Sequence, residues 1–99
     1  MLIAHDLGTS GDKASLHALD GAMIASTTVP YTTVYGTGGE VEQDPEDWWA
    51  AVVSSTHQLL ATTGTAPDQI TGICVGGTMM CVVLVDATGA QLRPALIWA

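Results

Sequence analysis

The stretch Asp6-Leu7-Gly8-Thr9-Ser10-Gly11-Asp12-Lys13 gathers the residue types that phosphate chemistry needs. An apolar run delivers the Asp6 carboxylate to its end. There it could hold a water of a bound magnesium ion, a metal that takes few carboxylates and keeps many waters. The glycines that follow let backbone come close to a ligand, and successive amide N–H groups form an anion-binding nest. The hydroxyls of Thr9 and Ser10 can donate to phosphate oxygens. Lys13, the only lysine of the chain, adds a point charge suited to phosphate. The spacing is not that of a G-x-x-x-x-G-K-[ST] loop. The same composition also describes an ordinary polar hairpin turn, and the residues alone leave both readings open.

A second stretch, Gly76-Gly77-Thr78-Met79-Met80-Cys81, lies between two apolar runs. Its glycines allow a bend toward a cleft, and its methionines would give an adaptable apolar wall. The alternative is a bulge with methionines packed in the core. Trp48 and Trp49 could stack on a sugar ring. Adjacent helical residues point in different directions, however, so at least one of them is expected in the core. His5, His17 and His57 show no ligand spacing and read as structural or surface residues. The acids Glu40, Glu42, Asp44, Glu46 and Asp47 lack the spacing of a calcium loop and read as a solvated loop and helix cap. Cys74 and Cys81 match neither C-x-x-C nor a zinc pattern, and read as small core hydrophobes in a reducing compartment.

The elements that must hold these stretches follow from pattern. Met1 to Asp6 reads as a buried strand. Leu7 to Gly11 reads as a turn, and Lys13 to Leu19 as a second strand with Ala14, Leu16 and Ala18 on one face. Asp20-Gly21 is a two-residue hairpin signal, and Ala22 to Val29 follows as a third strand. Pro30 to Glu42 shows no helical period and reads as a loop. Asp44 is a good N-cap, Pro45 fits the first helical position, and Glu46 and Asp47 suit the positive end of the dipole. Trp48, Trp49, Val52, Val53, Leu59 and Leu60 then recur as one apolar stripe, and Gly64 is a stop. Ile70 to Val75 reads as a strand broken by Gly76-Gly77-Thr78. Met79 to Asp86 reads as another strand, Ala87 to Ala90 as a turn, and Leu92 to Trp98 as a last extended segment. The order predicts an α/β unit, a mixed sheet covered by one helix.

Composition bounds what this unit can be. Ninety-nine residues make one small domain or part of a larger one. Two basic residues against ten carboxylates give a net charge of −8, which excludes a nucleic-acid backbone or an anionic membrane as partner. The longest apolar run, Met79 to Val85, is far short of the roughly 20 residues of a membrane span. The N-terminus lacks the positive flank of a signal peptide, so a cytoplasmic location is expected. With 47% hydrophobic and only 12% charged residues, and a mean hydropathy of +0.35, the chain is poor in the charge a small free domain places on its surface. Burial against something else is expected, whether the rest of a longer protein or further copies of itself.

Taken in order, the motifs resemble the N-terminal end of the FGGY carbohydrate kinases, most of all their xylulokinase-type branch. Met1 to Lys13 resembles the family's opening hairpin, which ends D-x-G-T-[ST]-x-x-[KR]. Glu42-Gln43-Asp44-Pro45-Glu46-Asp47-Trp48-Trp49 is similar to E-Q-D-P-x-x-W-W. Gly77-Thr78-Met79-Met80-Cys81 stands at the place of G-Q-M-H-G, and Leu92 to Trp98 resembles R-P-A-I-L-W.

The resemblance implies part of the N-terminal domain of an actin/Hsp70/hexokinase-type (ribonuclease H-like) fold, with residues 1–99 a single incomplete domain. It implies transfer of the ATP γ-phosphate to a sugar hydroxyl with magnesium. Asp6 would lie near the metal, Gly8, Thr9, Ser10 and Lys13 at the ATP phosphates, and Thr78, Met79 and Met80 at the sugar. The family's catalytic-base Asp and nucleotide-binding domain lie beyond these residues, so the piece alone is expected to be inactive. Thr78 stands where the family has Gln, Met80 where it has His and Cys81 where it has Gly. The change at Met80 removes one polar contact to a sugar hydroxyl. The expected substrate is a pentulose or related polyol. The competing expectation is a non-catalytic module that self-associates through exposed apolar surface.

Overall fold

The computed structural model describes residues 1–99. In chain order the strands are β1 (Leu2–Leu7), β2 (Gly11–His17), β3 (Met23–Pro30), β4 (Val34–Tyr35) and β5 (Val41–Gln43). Helix α1 (Pro45–Thr63) and one 3-10 turn (Pro67–Gln69) follow, then β6 (Gly72–Gly77) and β7 (Ala95–Leu96). The larger sheet runs β3-β2-β1-β6, with β1 antiparallel to β2 and parallel to β6. A small sheet runs β4-β5-β7. The expected mixed sheet with a covering helix is what forms.

Alternation decides the faces of the hairpin. Ile3 and His5 of β1, and Asp12, Ala14 and Leu16 of β2, are buried on one side. Asp6 and Lys13, directly opposite each other in the register, share the other side and are exposed. β2 ends at His17 rather than Leu19, because a register shift between Leu16 and His17 turns the chain early. The turn holds three residues, not two: Ala18 donates its N–H to Ala22, and Gly21 takes a φ of +92° between them.

Helix α1 starts and stops where its caps dictate. Asp44 Oδ1 accepts the Glu46 N–H at 3.0 Å, Pro45 opens the helix, and Gly64 closes it at φ +67°. Its buried stripe differs from the expected one. Ala51, Ser55 and Leu59, four residues apart, face the sheet, whereas Trp49 and Val53 are exposed. Small side chains at 51 and 55 bring the helix axis close to the sheet, so the bulkier residues splay to its sides. Leu59 closes a core with Ile3, Ala14 and Leu16.

The other departures lie in the short and irregular strands. The segment expected as a loop, 30–42, contains the β4–β5 hairpin. β6 begins at Gly72 and runs through Gly76 and Gly77, held in parallel register against Asp6 and Leu7 of β1. Residues 79–86 form no continuous strand; only Val82 with Leu96 and Val85 with Gln91 make isolated bridges. The last extended segment is reduced to Ala95–Leu96 by the same irregularity. Cys74 is exposed and Cys81 half-buried, so neither is a core hydrophobe. Cys74 sits on β6, an edge strand of the larger sheet.

Candidate functional site

The ends of β1 and parallel β6 lie side by side, with Asp6 opposite Gly76 and Leu7 opposite Gly77. Ligands of open α/β sheets bind outside such carboxyl ends. The topology therefore brings together the two stretches singled out from the sequence, residues 6–13 and 76–81.

The loop Gly8-Thr9-Ser10 is anchored by its carbonyls. Gly8 O accepts from the Tyr31 hydroxyl, and Ser10 O accepts from the Tyr31 N–H at 3.2 Å. Thr9 O accepts twice, from Gln43 Nε2 at 2.7 Å and Thr33 Oγ1 at 3.0 Å. In a trans peptide the N–H points opposite the preceding C=O. Holding Gly8 O and Thr9 O thus aims the N–H groups of Thr9 and Ser10 the other way. Neither of these N–H groups donates within the chain. The result is a pair of consecutive free donors, the arrangement that receives an anion. Gly8 N–H is engaged within the turn, donating to Gly11 O at 3.0 Å. Tyr31 ionises only near pH 12, raised by burial and then by the negative charges of Asp12 and Asp6. Its hydroxyl therefore stays protonated and keeps donating to Gly8 O.

Asp6 and Lys13 flank this loop on the open face, and neither belongs to an ion pair. No three His, Cys, Asp or Glu side chains converge on a metal position. A lone exposed carboxylate such as Asp6 would suit magnesium, which completes its shell with waters and other oxygen ligands, better than zinc.

On the β6 side, Leu7, Trp48, Gly77, Thr78 and Cys81 line a cleft of about 130 Å³. Thr78 Oγ1 donates to Leu7 O at 2.9 Å, tying this cleft to the end of β1. Met79 and Met80 stand at the surface beside it, 74% and 80% exposed, and Met80 holds a φ of +57°. A non-glycine residue there costs about 1–2 kcal/mol, so the chain turns at Met80 against local preference.

The sequence reading missed Gln43, Tyr31 and Thr33, which hold the loop. Gln43 is 2% exposed, and its Oε1 accepts the Trp48 indole N–H at 2.8 Å. Its alternation with Val41 in β5 was the available signal, but three residues of strand make a weak one. Also unforeseen is the tie of His5 to Asp12 and Ser55. His5 Nδ1 and Ser55 Oγ both donate to Asp12 Oδ2, at 2.8 and 2.7 Å. All three side chains are buried and the serine hydroxyl is spent on the carboxylate. This Ser, His and Asp set is therefore a fastener between α1 and the hairpin, not a nucleophile with its base.

The sequence profile of the FGGY family of carbohydrate kinases, N-terminal domain, matches residues 1–99. A xylulose kinase of Streptomyces coelicolor is 34% identical over 99 residues, covering 99% of this chain and 19% of the relative. A glycerol kinase of Citrifermentans bemidjiense is 31% identical over 98 residues, covering 98% of this chain and 20% of the relative. The crystal structure of xylulose kinase from Rhodospirillum rubrum superposes with a TM-score of 0.86 at 33% identity, covering 96% of this chain and 20% of that one. The chain spans about a fifth of the length of the relatives it matches.

Proposed function

The chain belongs to the FGGY family of carbohydrate kinases, and from that premise we propose that it forms the phosphate-facing corner of an ATP-dependent sugar kinase. Residues 1–99 are then part of that enzyme's N-terminal domain. The substrate is a pentulose or a related polyol, phosphorylated on one hydroxyl. The relatives' names divide between xylulose and glycerol, which supports the class rather than one sugar.

The observation that carries this reading is the carbonyl-anchored loop with free N–H groups at Thr9 and Ser10. Phosphoryl transfer asks a protein mainly for positioning and charge neutralisation. The Thr9 and Ser10 amides bind phosphate oxygens, and their hydroxyls supplement them. Lys13 offsets negative charge from the adjacent strand. Asp6 would hold a magnesium ion through its waters, and that ion, when bound with ATP, would supply charge neutralisation at the phosphates. Thr78, Met79 and Met80 form the sugar side. No residue of this chain takes the proton of the attacking hydroxyl, so the 99 residues alone are inactive. The test is an ATP-dependent phosphorylation assay of the isolated chain beside the complete protein that carries it. Transfer by the complete protein and none by the chain supports the reading; turnover by the isolated chain overturns it.

A second reading, a non-catalytic self-associating module, is favoured by one observation. Ile73 and Val75 on the edge strand β6 are 60% and 57% exposed. Such an edge invites pairing with another copy. A monomer in sedimentation at high concentration contradicts it.

A further inference from the structure

We infer that Gln43 and Trp48 form a positioning strut between the two halves of the site, fixing the phosphate loop to the sugar-side cleft. The inference rests on the kinase reading for its consequences, but the strut itself is a matter of geometry. An indole N–H only donates. The Gln43 atom that meets Trp48 Nε1 at 2.8 Å must therefore be the carbonyl oxygen, Oε1. That leaves Nε2 to face Thr9 O at 2.7 Å and Thr33 Oγ1 at 2.8 Å. Every polar group of this buried amide is thus engaged, and its orientation is dictated by the tryptophan.

The two ends of the strut touch different parts of the site. At one end, Gln43 fixes the Thr9 carbonyl and so aims the Ser10 N–H. At the other, the Trp48 ring lines the cleft with Leu7, Gly77, Thr78 and Cys81. Thr78 closes the circuit by donating to Leu7 O, one residue before the loop. A shift of the indole by occupancy of the cleft would therefore reach the Ser10 amide through a single side chain. Gln43 and Trp48 act through the loop rather than on substrate, which makes them positioning residues.

Three substitutions in the complete protein, made singly and with two of them combined, separate the strut from mere packing. Gln43→Glu keeps an oxygen for the indole but sets a carboxylate oxygen against the Thr9 carbonyl. Gln43→Leu removes both ends. Trp48→Phe keeps a ring in the cleft and removes the donor. We expect Gln43→Glu and Gln43→Leu each to lower kcat/KM for ATP about tenfold, the order of one misplaced buried hydrogen bond. The sugar KM should stay within about twofold, because the cleft wall is intact in both. The Gln43→Leu/Trp48→Phe double variant should fall no further than Gln43→Leu alone, since the two residues act as one unit.

The Trp48 indole proton reads the strut without reference to catalysis. It should be protected from exchange in the unsubstituted protein and in Gln43→Glu, and lose that protection in Gln43→Leu. Normal ATP constants in both Gln43 variants, multiplicative losses in the double variant, or an unprotected indole would each overturn the strut. A protein with a protected indole and no sugar phosphorylation would sustain the strut and contradict the kinase reading.

Discussion

Tyr31 shows how one side chain serves the site by what it refuses to do. Burial, then Asp12 and Asp6, push its ionisation up to about pH 12 from the ordinary 10. The unfolded chain would ionise Tyr31 near pH 10, so its contribution to stability is complete below that value. It is lost as pH rises from about 10 toward 12. A phenolate absorbance titration should show one late component near pH 12, and Tyr31→Phe should remove it. The buried carboxylate behind the loop makes a second case. Asp12 Oδ2 collects donors from His5 and Ser55, whereas Oδ1 has no partner. Ser55→Ala should cost about 1–3 kcal/mol in urea unfolding, because a buried carboxylate then loses a donor it cannot replace. Neither Tyr31 nor Ser55 stood out in the sequence. Tyr31 lies in a segment read as loop, and Ser55 meets Asp12 across 43 residues of chain.

Among the elements, the helix was the most readable. Asp44, Pro45 and Gly64 act on their own neighbours, so local chemistry fixes both ends of α1. Asp44 does more than cap, since its Oδ1 also accepts from Gln91 Nε2 at 2.7 Å. Asp44→Ala should cost about 1 kcal/mol for the cap, read by thermal unfolding, and should also loosen the 86–91 turn. The helix face was misread because hydrophobicity counts Trp49 and Val53 but not Ala51 and Ser55, which make the close approach. The hairpin β1–β2 was readable from alternation. The short strands β4 and β5 were not, because two or three residues carry too little alternation, and β5 finds its second partner, β7, more than 50 residues away. Gly11 is demanded by tertiary packing too. A Cβ there would lie 2.6 Å from Val29 O and 2.8 Å from Pro30 Cα, both backbone atoms. Gly11→Ala should therefore force β3 outward and cost about 1–3 kcal/mol in the same unfolding measurement.

As a whole the molecule is elongated, 45 × 28 × 21 Å, with a radius of gyration of 15.2 Å. A compact chain of this length would have about 13 Å. Only 12 of 99 residues are buried, so the apolar excess seen in the composition lies at the surface rather than in a larger core. Helix α1 covers one face of the four-stranded sheet. The other face presents Asp6 and Lys13, and the β6 edge presents Ile73 and Val75. This arrangement suits a unit that packs against a larger surface, with the Gly8–Ser10 loop at its rim. A net charge of −8 gives no general attraction for phosphate, so the proposed function asks local groups, the Thr9 and Ser10 amides, Lys13 and a magnesium ion, to supply it. The central claim is that this rim serves phosphoryl transfer to a sugar. The most direct measurement is ATP-dependent phosphorylation of a panel of ketoses and polyols by the complete protein, unsubstituted and with Asp6→Asn. The account predicts transfer to a pentulose or related polyol, and a loss in the variant on the order of a hundredfold, as for one removed transition-state contact. No transfer to any member of the panel, or an Asp6→Asn variant as active as the unsubstituted protein, would contradict it.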